Sequence, residues 1–145
     1  MNELRSRAIK LLARREHSRL ELARKLAAHG TQEEIDAVLT DLTRSGLLSD
    51  ARYAEAYVRA NAARFGAARL RQTLRQKGIA GELIESHLAG GADMADELAR
   101  ARAVWEKKYA ARPADAKEWA RQARFLQGRG FSTDVIRKLL KEPRA

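Results

Sequence analysis

The sequence predicts an all-α protein, an elongated array of three tandem three-helix repeats, from three observations. Alanine, leucine, arginine and glutamate, which favour helices, make up more than half of the 145 residues, whereas valine and isoleucine together number nine. Apolar residues recur at helical spacing between capping residues and glycines. The order of helices then repeats with a period of about 50 residues, which is typical of a helical repeat array.

In the first repeat, apolar residues at helical spacing predict a first helix, and capping boxes begin the second and third. Ser18 with Glu21, and Thr31 with Glu34, are expected to satisfy free backbone N–H groups reciprocally. A glycine follows each of these two helices and predicts its end.

The first helix of the second repeat is predicted to begin at Ser49 or Asp50. Gly66 separates it from the second helix, and Gly78 ends the second helix before the third begins. A double glycine then breaks the chain.

The third repeat opens with an apolar stripe that includes Trp105, and Pro113 predicts where this helix stops. Asp115 with Glu118 predicts a capping box for the next helix. Ser132 or Thr133 is expected to cap the last one.

Equivalent residues mark the three repeats. In each, a leucine stands four residues before a glycine, and an isoleucine follows that glycine: Leu26, Leu74 and Leu126, then Ile35, Ile84 and Ile136. We place the repeats at residues 1–46, 47–91 and 92–145. Each holds few large apolar residues, so neighbouring repeats are expected to stack. Solution scattering should give a radius of gyration above the roughly 15 Å of a compact globule of this length.

The formal charge of +10 alternates in sign along the chain. Successive segments carry +5 (1–30), −4 (31–50), +6 (51–80), −5 (81–99) and +8 (100–145). The first two helices of each repeat are therefore basic, and the third helices of the first two repeats are acidic. Residues 18–42 superficially resemble a helix-turn-helix, but its second helix would carry four carboxylates into the DNA groove. A sequence-specific DNA reader is disfavoured.

No motif for catalysis, a cofactor or a metal is found. There is no cysteine, no phosphate-binding loop and no nucleophile–histidine–carboxylate order. His17 and His29 are expected to cap helices or to be exposed, and His87 to be partly buried. We therefore expect no enzyme activity, no cofactor and no metal site. The absence of long apolar runs predicts no membrane span and no secretory signal, and favours the cytoplasm.

Three stretches resemble the RecX family of regulatory proteins. They are the central segment GLLSDARYAEAYVR (46–59), REHSRLEL (15–22) and RFLQGRGFS (124–132). The similarity continues through Gly66, Leu70 and Gly78, and so covers nearly the whole chain. Two alanines replace the proline often expected after Gly66, and residues 112–117 are a local elaboration.

The resemblance implies a non-catalytic, cytoplasmic modulator of the RecA recombinase in the regulation of DNA repair, the SOS response and homologous recombination. RecX-like proteins act on RecA filaments assembled on single-stranded DNA and suppress filament growth, ATP hydrolysis and strand exchange. A monomer that lies in the filament groove, or that occupies the growing end, would do this. The residues do not choose between these two modes.

Charged residues are the predicted contacts with RecA or with single-stranded DNA. The central basic set is Arg52, Arg59, Arg64, Arg69, Arg71, Arg75 and Lys77. The C-terminal basic set is Arg121, Arg124, Arg129, Arg137, Lys138 and Lys141. The acidic set, expected to face basic protein surface, is Glu33, Glu34, Asp36, Asp41, Glu82 and Glu85.

Two other functions stay open at this point. A sequence-nonspecific, single-stranded nucleic-acid-binding protein without a recombinase partner would bind in a strongly salt-dependent way. The lack of an exposed aromatic series for base stacking counts against it. A structural adaptor, in which the basic stripes are incidental, is the other alternative.

Overall fold

The computed structural model describes residues 2–88 and 94–141, and within these ranges every regular element is an α-helix. The helices are α1 (Asn2–Arg14), α2 (Arg19–Leu26), α3 (Gln32–Arg44), α4 (Asp50–Asn61), α5 (Ala67–Gln76), α6 (Gly81–Leu88), α7 (Met94–Lys108), α8 (Ala116–Gly128) and α9 (Thr133–Leu140). The predicted all-α class is confirmed. None of these helices is long and apolar enough to cross a membrane.

Local hydrogen bonds begin α2 and α3 as predicted. The Ser18 hydroxyl accepts from the Glu21 N–H, and the Glu21 carboxylate accepts from the Ser18 N–H, each at 3.1 Å. Thr31 and Glu34 form the same reciprocal pair at 3.1 and 2.9 Å. Both capping boxes are confirmed.

The structure identifies the N-cap residues of two helices, α4 and α9, for which the sequence leaves two candidates each. Ser49 caps α4, because its hydroxyl accepts from the Arg52 N–H at 3.1 Å, while the Asp50 carboxylate accepts from the Arg19 N–H at 2.8 Å. Ser132 is the N-cap of α9.

Two predictions in the last repeat are corrected. Asp115 caps α8 by accepting from the Glu118 N–H at 2.8 Å, but the Glu118 carboxylate accepts from the side-chain amide of Gln122 instead of closing the box. Helix α7 ends at Lys108, before the predicted stop at Pro113. The predicted double-glycine break lies outside the described residues.

The chain forms two compact units, each continuous in space but not in sequence. Unit 1 comprises residues up to Tyr57 together with Leu74–Ile84, and unit 2 comprises Val58–Thr73 together with the chain from Glu85 onward. The helices of the second repeat are thus divided between the units. The repeat boundaries after residues 46 and 91 stay a prediction.

The core of unit 1 joins α1, α2 and α3. Its buried residues are Leu4, Ala8, Leu22, Leu26, Ile35, Val38, Leu39, Leu42 and Leu48. The apolar stripes predicted for these helices face this core, which accounts for their helical spacing.

The core of unit 2 joins α7, α8 and α9. Its buried residues are Ala101, Val104, Leu126, Phe131, Val135, Ile136, Leu139 and Leu140. Trp105 and Trp119 pack against it as partly buried residues. The Trp105 indole N–H also donates to Oε1 of the buried Gln122 at 2.7 Å.

His17 is corrected from an exposed or capping residue to a buried one, with 2% of its surface exposed. Its Nδ1 lies 3.0 Å from the Arg15 carbonyl, and its Nε2 lies 2.9 Å from Lys25 Nζ. Burial, with the charges of Arg15 and Lys25, lowers the pKa of His17. The neutral ring can then donate through Nδ1 and accept the lysine through Nε2. His29 is exposed and His87 half-buried, as expected.

Candidate interaction surfaces

The four predicted acidic residues of α3 are all exposed: Glu33, Glu34, Asp36 and Asp41. Two of them have partners within unit 1, since Asp41 pairs with Arg5 and Glu34 closes the capping box. The backbone hydrogen bond from Thr31 lowers the pKa of Glu34, so this carboxylate stays ionised. The outer side of α3 is a negative surface suited to a basic partner.

The structure joins one predicted acidic residue to one predicted basic residue. The Arg71 guanidinium donates to Glu85 through Nε at 2.9 Å and through Nη2 at 3.1 Å. This two-pronged geometry is the strongest form of arginine–carboxylate pair, although exposure to water limits its worth. Glu82, the other predicted acidic residue of α6, is exposed.

Two more residues of the central basic set make ion pairs within unit 1. Arg52 donates to the Glu16 carboxylate at 3.0 Å and to the Gly46 carbonyl at 2.7 Å. Lys77 Nζ lies 3.6 Å from Glu21 Oε2. These contacts give Arg52 and Lys77 a structural role beside any partner contact.

Glu21 is the buried centre of that network. Burial alone would raise the pKa of Glu21, but hydrogen bonds from Arg15 and Ser18, with the charges of Arg15 and Lys77, outweigh it and lower the pKa. Arg15 Nη2 lies 3.1 Å from Glu21 Oε2. The carboxylate therefore stays charged while it caps α2 and holds two cations.

Arg59 and Arg75 are the exposed arginines near the ends of α4 and α5. Both keep their place in the predicted contact set, and Arg75 lies one helical turn from Arg71.

In unit 2, two glycines bring the α4–α5 loop against the α8–α9 loop. The Gly66 N–H donates to the Arg129 carbonyl at 2.8 Å, and the Ala68 N–H donates to the Gly130 carbonyl at 3.3 Å. A side chain at Gly66 would lie 2.3 Å from the Gly130 oxygen. Only glycine permits this approach, and the approach brings Arg64 and Arg69 of the central basic set close to Arg129 of the C-terminal set.

Three predicted arginines surround the ring of Phe65. The guanidinium carbons of Arg69, Arg64 and Arg129 lie 4.0, 5.0 and 5.7 Å from the ring centroid. The quadrupole of the ring attracts cations at such distances. Arg69 also donates to the Gly128 carbonyl at 3.1 Å. The ring therefore helps to hold like charges together.

A second ring, Phe125, continues this arrangement. Lys108 Nζ lies 4.4 Å and the Arg129 guanidinium carbon 5.2 Å from its centroid. Tyr109 packs edge-on against it, with centroids 5.6 Å apart. Arg129 thus lies between two aromatic rings.

Some of these side chains line an open cleft of about 630 Å³ in unit 2, which we call the unit 2 basic cleft. Its cations are Arg64, Lys107, Lys108 and Arg129, and its apolar lining is Ala63, Val104 and Phe125. No carboxylate is among the described residues that line it. A concave surface with four cations and one ring suits an extended anion such as a nucleic-acid strand.

Arg64 and Arg129 belong to the predicted basic sets, whereas Lys107 and Lys108 do not. The signal was present as a Lys–Lys pair in the last turn of α7, where cations also favour the helix dipole. Nothing local ties this pair to Arg64, which is more than forty positions earlier in the chain.

The remaining C-terminal basic residues lie outside the cleft. Arg121 pairs with Glu118 at 3.7 Å, Arg124 is exposed on α8, and α9 exposes Arg137 and Lys138. Lys141 ends α9 in the left-handed region, with φ of 59°, and its carbonyl accepts from the Trp119 indole.

The described residues contain no group of three or more histidine, aspartate and glutamate side chains arranged to hold a metal ion.

The fold defines an all-α protein of tandem three-helix repeats, and family models identify the family. The first, second and third three-helix domains of RecX match residues 5–42, 49–88 and 95–140. The chain belongs to the RecX family, and the resemblance found in the sequence is confirmed.

Relatives and solved structures agree along the whole chain. The regulatory protein RecX of Leptothrix cholodnii is 52% identical over 139 residues, which cover 95% of this chain and 87% of that protein. That of Chromobacterium violaceum is 44% identical, with 94% and 88% covered. A crystal structure of regulatory protein RecX superposes with a TM-score of 0.83 at 25% identity, covering 97% of this chain and 72% of that one. RecX from Lactobacillus salivarius shares the fold, with a TM-score of 0.78 at 21% identity and 97% and 94% covered.

Proposed function

We propose that this protein is a non-catalytic negative regulator of the RecA recombinase, acting in the cytoplasm as a monomer on RecA–single-stranded DNA filaments. It blocks filament extension and, with it, ATP hydrolysis and strand exchange in recombination and repair. The observation that carries the proposal is the match to RecX regulatory proteins through all three repeats.

The separation of charge supports a filament as the target. A filament on DNA offers both protein surface and phosphates, and this chain offers surfaces of both signs. The exposed carboxylates of α3 suit a basic protein surface, and the unit 2 basic cleft suits phosphates or an acidic protein surface. A regulator that contacts successive subunits would restrict the motions that nucleotide turnover requires.

The contacts within the chain refine which basic residues are proposed to meet the partner. Arg64, Lys107, Lys108 and Arg129 share one concave surface. Arg71 is a poorer probe, because reversing its charge would set a new carboxylate against Glu85 and disturb α5 and α6. Arg75 is the better probe of that helix, since it is exposed.

The test is DNA-dependent ATP hydrolysis by RecA, with the purified protein titrated in. We expect the double change Lys107→Glu with Lys108→Glu to raise the inhibitory concentration at least about tenfold, since like charges placed together at an interface cost several kcal/mol. The matched control is Arg102→Glu with Lys117→Glu, which makes the same net change at exposed residues of unit 2 that do not line the cleft. Equal losses in the two double variants would exclude the cleft as the contact surface.

The same titration separates the two modes of action. Inhibition at far less than one protein per recombinase would indicate that the growing end is occupied. Inhibition only near one per recombinase would indicate occupation of the groove. No inhibition at any ratio would contradict the proposed function.

Binding of single-stranded nucleic acid without a recombinase is the second candidate, and the unit 2 basic cleft favours it. Affinity for an oligonucleotide without RecA, combined with no effect on the RecA ATPase, would select this function instead.

A further inference from the structure

Unit 1 also has a cleft lined by cations, of about 380 Å³, between α1 and α2. We call it the unit 1 basic cleft. It is lined by the side chains of Arg7, Lys10, Arg14, Lys25 and His29. None of the described side chains that line it is acidic. None of these residues belongs to the two predicted basic sets, so this surface is additional to the one described above.

The spacing of the cations explains how they come to face one cleft. Arg7, Lys10 and Arg14 are three and four positions apart, so they share one face of α1. At 1.5 Å per residue they extend over about 10 Å of the helix. From the other side, Lys25 at the end of α2 and His29 in the turn after it line the same cleft. Three cations of α1 and Lys25 of α2 therefore face a common space, with His29 beside them.

The buried His17 orients one of these cations. Its Nε2 lies 2.9 Å from Lys25 Nζ, and its Nδ1 lies 3.0 Å from the Arg15 carbonyl. Because the imidazole accepts from the ammonium, Lys25 is held at the cleft at a lower entropic cost than a freely rotating lysine. The other charges are less constrained: Lys10 and Arg14 are exposed, and Arg7 has a 3.6 Å contact with the exposed Glu3.

The floor of the cleft indicates how a ligand would bind. It is formed by Leu11 and Leu26, and no phenylalanine, tyrosine or tryptophan lines it. The cleft therefore lacks the large aromatic platforms on which single-strand binders stack successive bases. Most contacts of arginine and lysine with nucleic acid are made to phosphate and sugar and carry no sequence information. A flexible single strand can adjust its backbone to the cations on both sides of the cleft, whereas a duplex holds its phosphates at fixed positions.

We propose that the unit 1 basic cleft binds the phosphodiester backbone of single-stranded nucleic acid directly, without reading its sequence. This goes beyond the proposed function, because none of the contact surfaces proposed above lies at this cleft. It gives the chain a nucleic-acid contact in unit 1 that is separate from the unit 2 basic cleft.

The test measures binding of a fluorescent single-stranded oligothymidylate to the full chain, without recombinase, over a range of salt concentrations. If the four arginine and lysine side chains of the cleft each neutralise one phosphate, this cleft contributes about −2.8 to the slope of log affinity against log salt. The double change Lys10→Glu with Arg14→Glu should weaken binding at least about tenfold and reduce the slope by about 1.4, because two phosphate contacts are lost.

The matched control is Arg24→Glu with Arg44→Glu, which makes the same net change in unit 1 but not at this cleft. Arg24 lines a different cleft, and Arg44 is exposed in the last turn of α3. We expect this control to change affinity by less than about threefold, because neither side chain lines the unit 1 basic cleft. Equal weakening in the two double variants would overturn the proposal, because net charge alone would then explain binding.

Two further arms test the ligand class. A duplex of the same length that binds as tightly as the single strand would overturn the single-strand assignment. Polyglutamate that competes at equal charge concentration would indicate an acidic protein partner and overturn the nucleic-acid assignment. If circular dichroism shows lost helicity in the glutamate variant, Lys10→Ala with Arg14→Ala replaces it, with an expected slope change of the same size.

The outcome is separable from that of the proposed function. Weakened oligonucleotide binding with unchanged inhibition of the RecA ATPase would support this site and leave the regulator role standing. Intact, cleft-dependent binding by a protein that does not inhibit RecA would remove only the regulator role.

Discussion

Helices α3 and α9 occupy the same place in the first and the last repeat, yet they present opposite charges. Each buries an isoleucine and a leucine four positions later, Ile35 with Leu39 and Ile136 with Leu140. On its exposed side, α3 carries four carboxylates and Arg44, for a net charge of −3, whereas α9 carries Arg137 and Lys138 with Asp134, for a net charge of +1.

The difference separates what the fold requires from what partners require. Burial constrains the inner side of both helices, because removing a buried methylene costs free energy wherever it occurs. No comparable constraint acts on the outer sides, where exposed charges contribute little to folding. The sign of the charge on each outer side can therefore suit a binding partner. We attribute the difference in charge between α3 and α9 to the partner surface that each helix contacts.

The largest expected effect tests whether the two cores are equivalent. Leu26 and Leu126 are counterparts four residues before a glycine, and they are 1% and 0% exposed. Leu26→Ala and Leu126→Ala should each lower the free energy of unfolding by about 3 kcal/mol in urea titrations, from lost burial and the cavity left behind. Leu47→Ala, at a residue 46% exposed, serves as the control and should cost less than about 0.5 kcal/mol. A much smaller loss for one of the two leucines would break the equivalence.

The next effect separates the glycines that follow those leucines. Gly130 has φ of +91°, and a Cβ there would lie 2.5 Å from the Arg69 backbone nitrogen. Gly30 is not in the left-handed region, and its Cβ would meet only the ends of two side chains, Leu4 at 3.2 Å and Glu34 at 3.6 Å. Gly130→Ala should cost about 2 kcal/mol or more, through backbone strain and a clash with main chain. Gly30→Ala should stay within about 1 kcal/mol. Equal thermal shifts for the two variants would contradict the close contact between the α4–α5 and α8–α9 loops.

The smallest effect concerns acid. The pKa of His17 in the folded protein is below its ordinary value of 6.5, because burial disfavours the imidazolium. The unfolded chain then binds more protons, so the stability of unit 1 is complete above pH 6.5 and declines as the pH falls through the folded pKa. The lowered pKa of Glu21 adds a further loss below its ordinary 4.5, where the unfolded carboxyl takes up a proton first.

Amide hydrogen exchange should locate this loss. Protection in α2 should fall on acidification after correction for the intrinsic exchange rate, and His17→Gln should remove the part that begins near pH 6.5. The amides of α8 serve as an internal reference. An unchanged pH profile in the His17→Gln variant would contradict the assignment to this side chain.

Much of the fold could be read from neighbouring residues. Ser18 with Glu21 and Thr31 with Glu34 begin helices through contacts only three positions apart, so the sequence shows them directly. The choice of Ser49 over Asp50 needed the structure, because the Asp50 carboxylate is used by the Arg19 N–H, 31 positions away. The same is true of the end of α7 at Lys108, ahead of the proline that the sequence suggested.

The candidate surfaces were predicted only in part. The predicted carboxylates of α3 are exposed, and Arg64 and Arg129 of the predicted basic sets line one cleft. Lys107 and Lys108, which line the same cleft, were missed. Arg71 and Glu85 were predicted as separate partner contacts, and the structure makes them one ion pair. Composition shows how many charges a chain carries, but not which of them neutralise one another.

By itself, the sequence determined the all-α class, the repeated leucine and glycine positions, the capping boxes and the family. Each of these depends on residues within about one or two helical turns, or on a pattern that recurs along the chain. The tertiary structure alone decided that His17 is buried against Lys25, that Gly66 meets Gly130, and that two basic clefts form. The physical reason is range: helix formation follows from local torsions and hydrogen bonds, whereas a cleft exists only where packing brings distant side chains together.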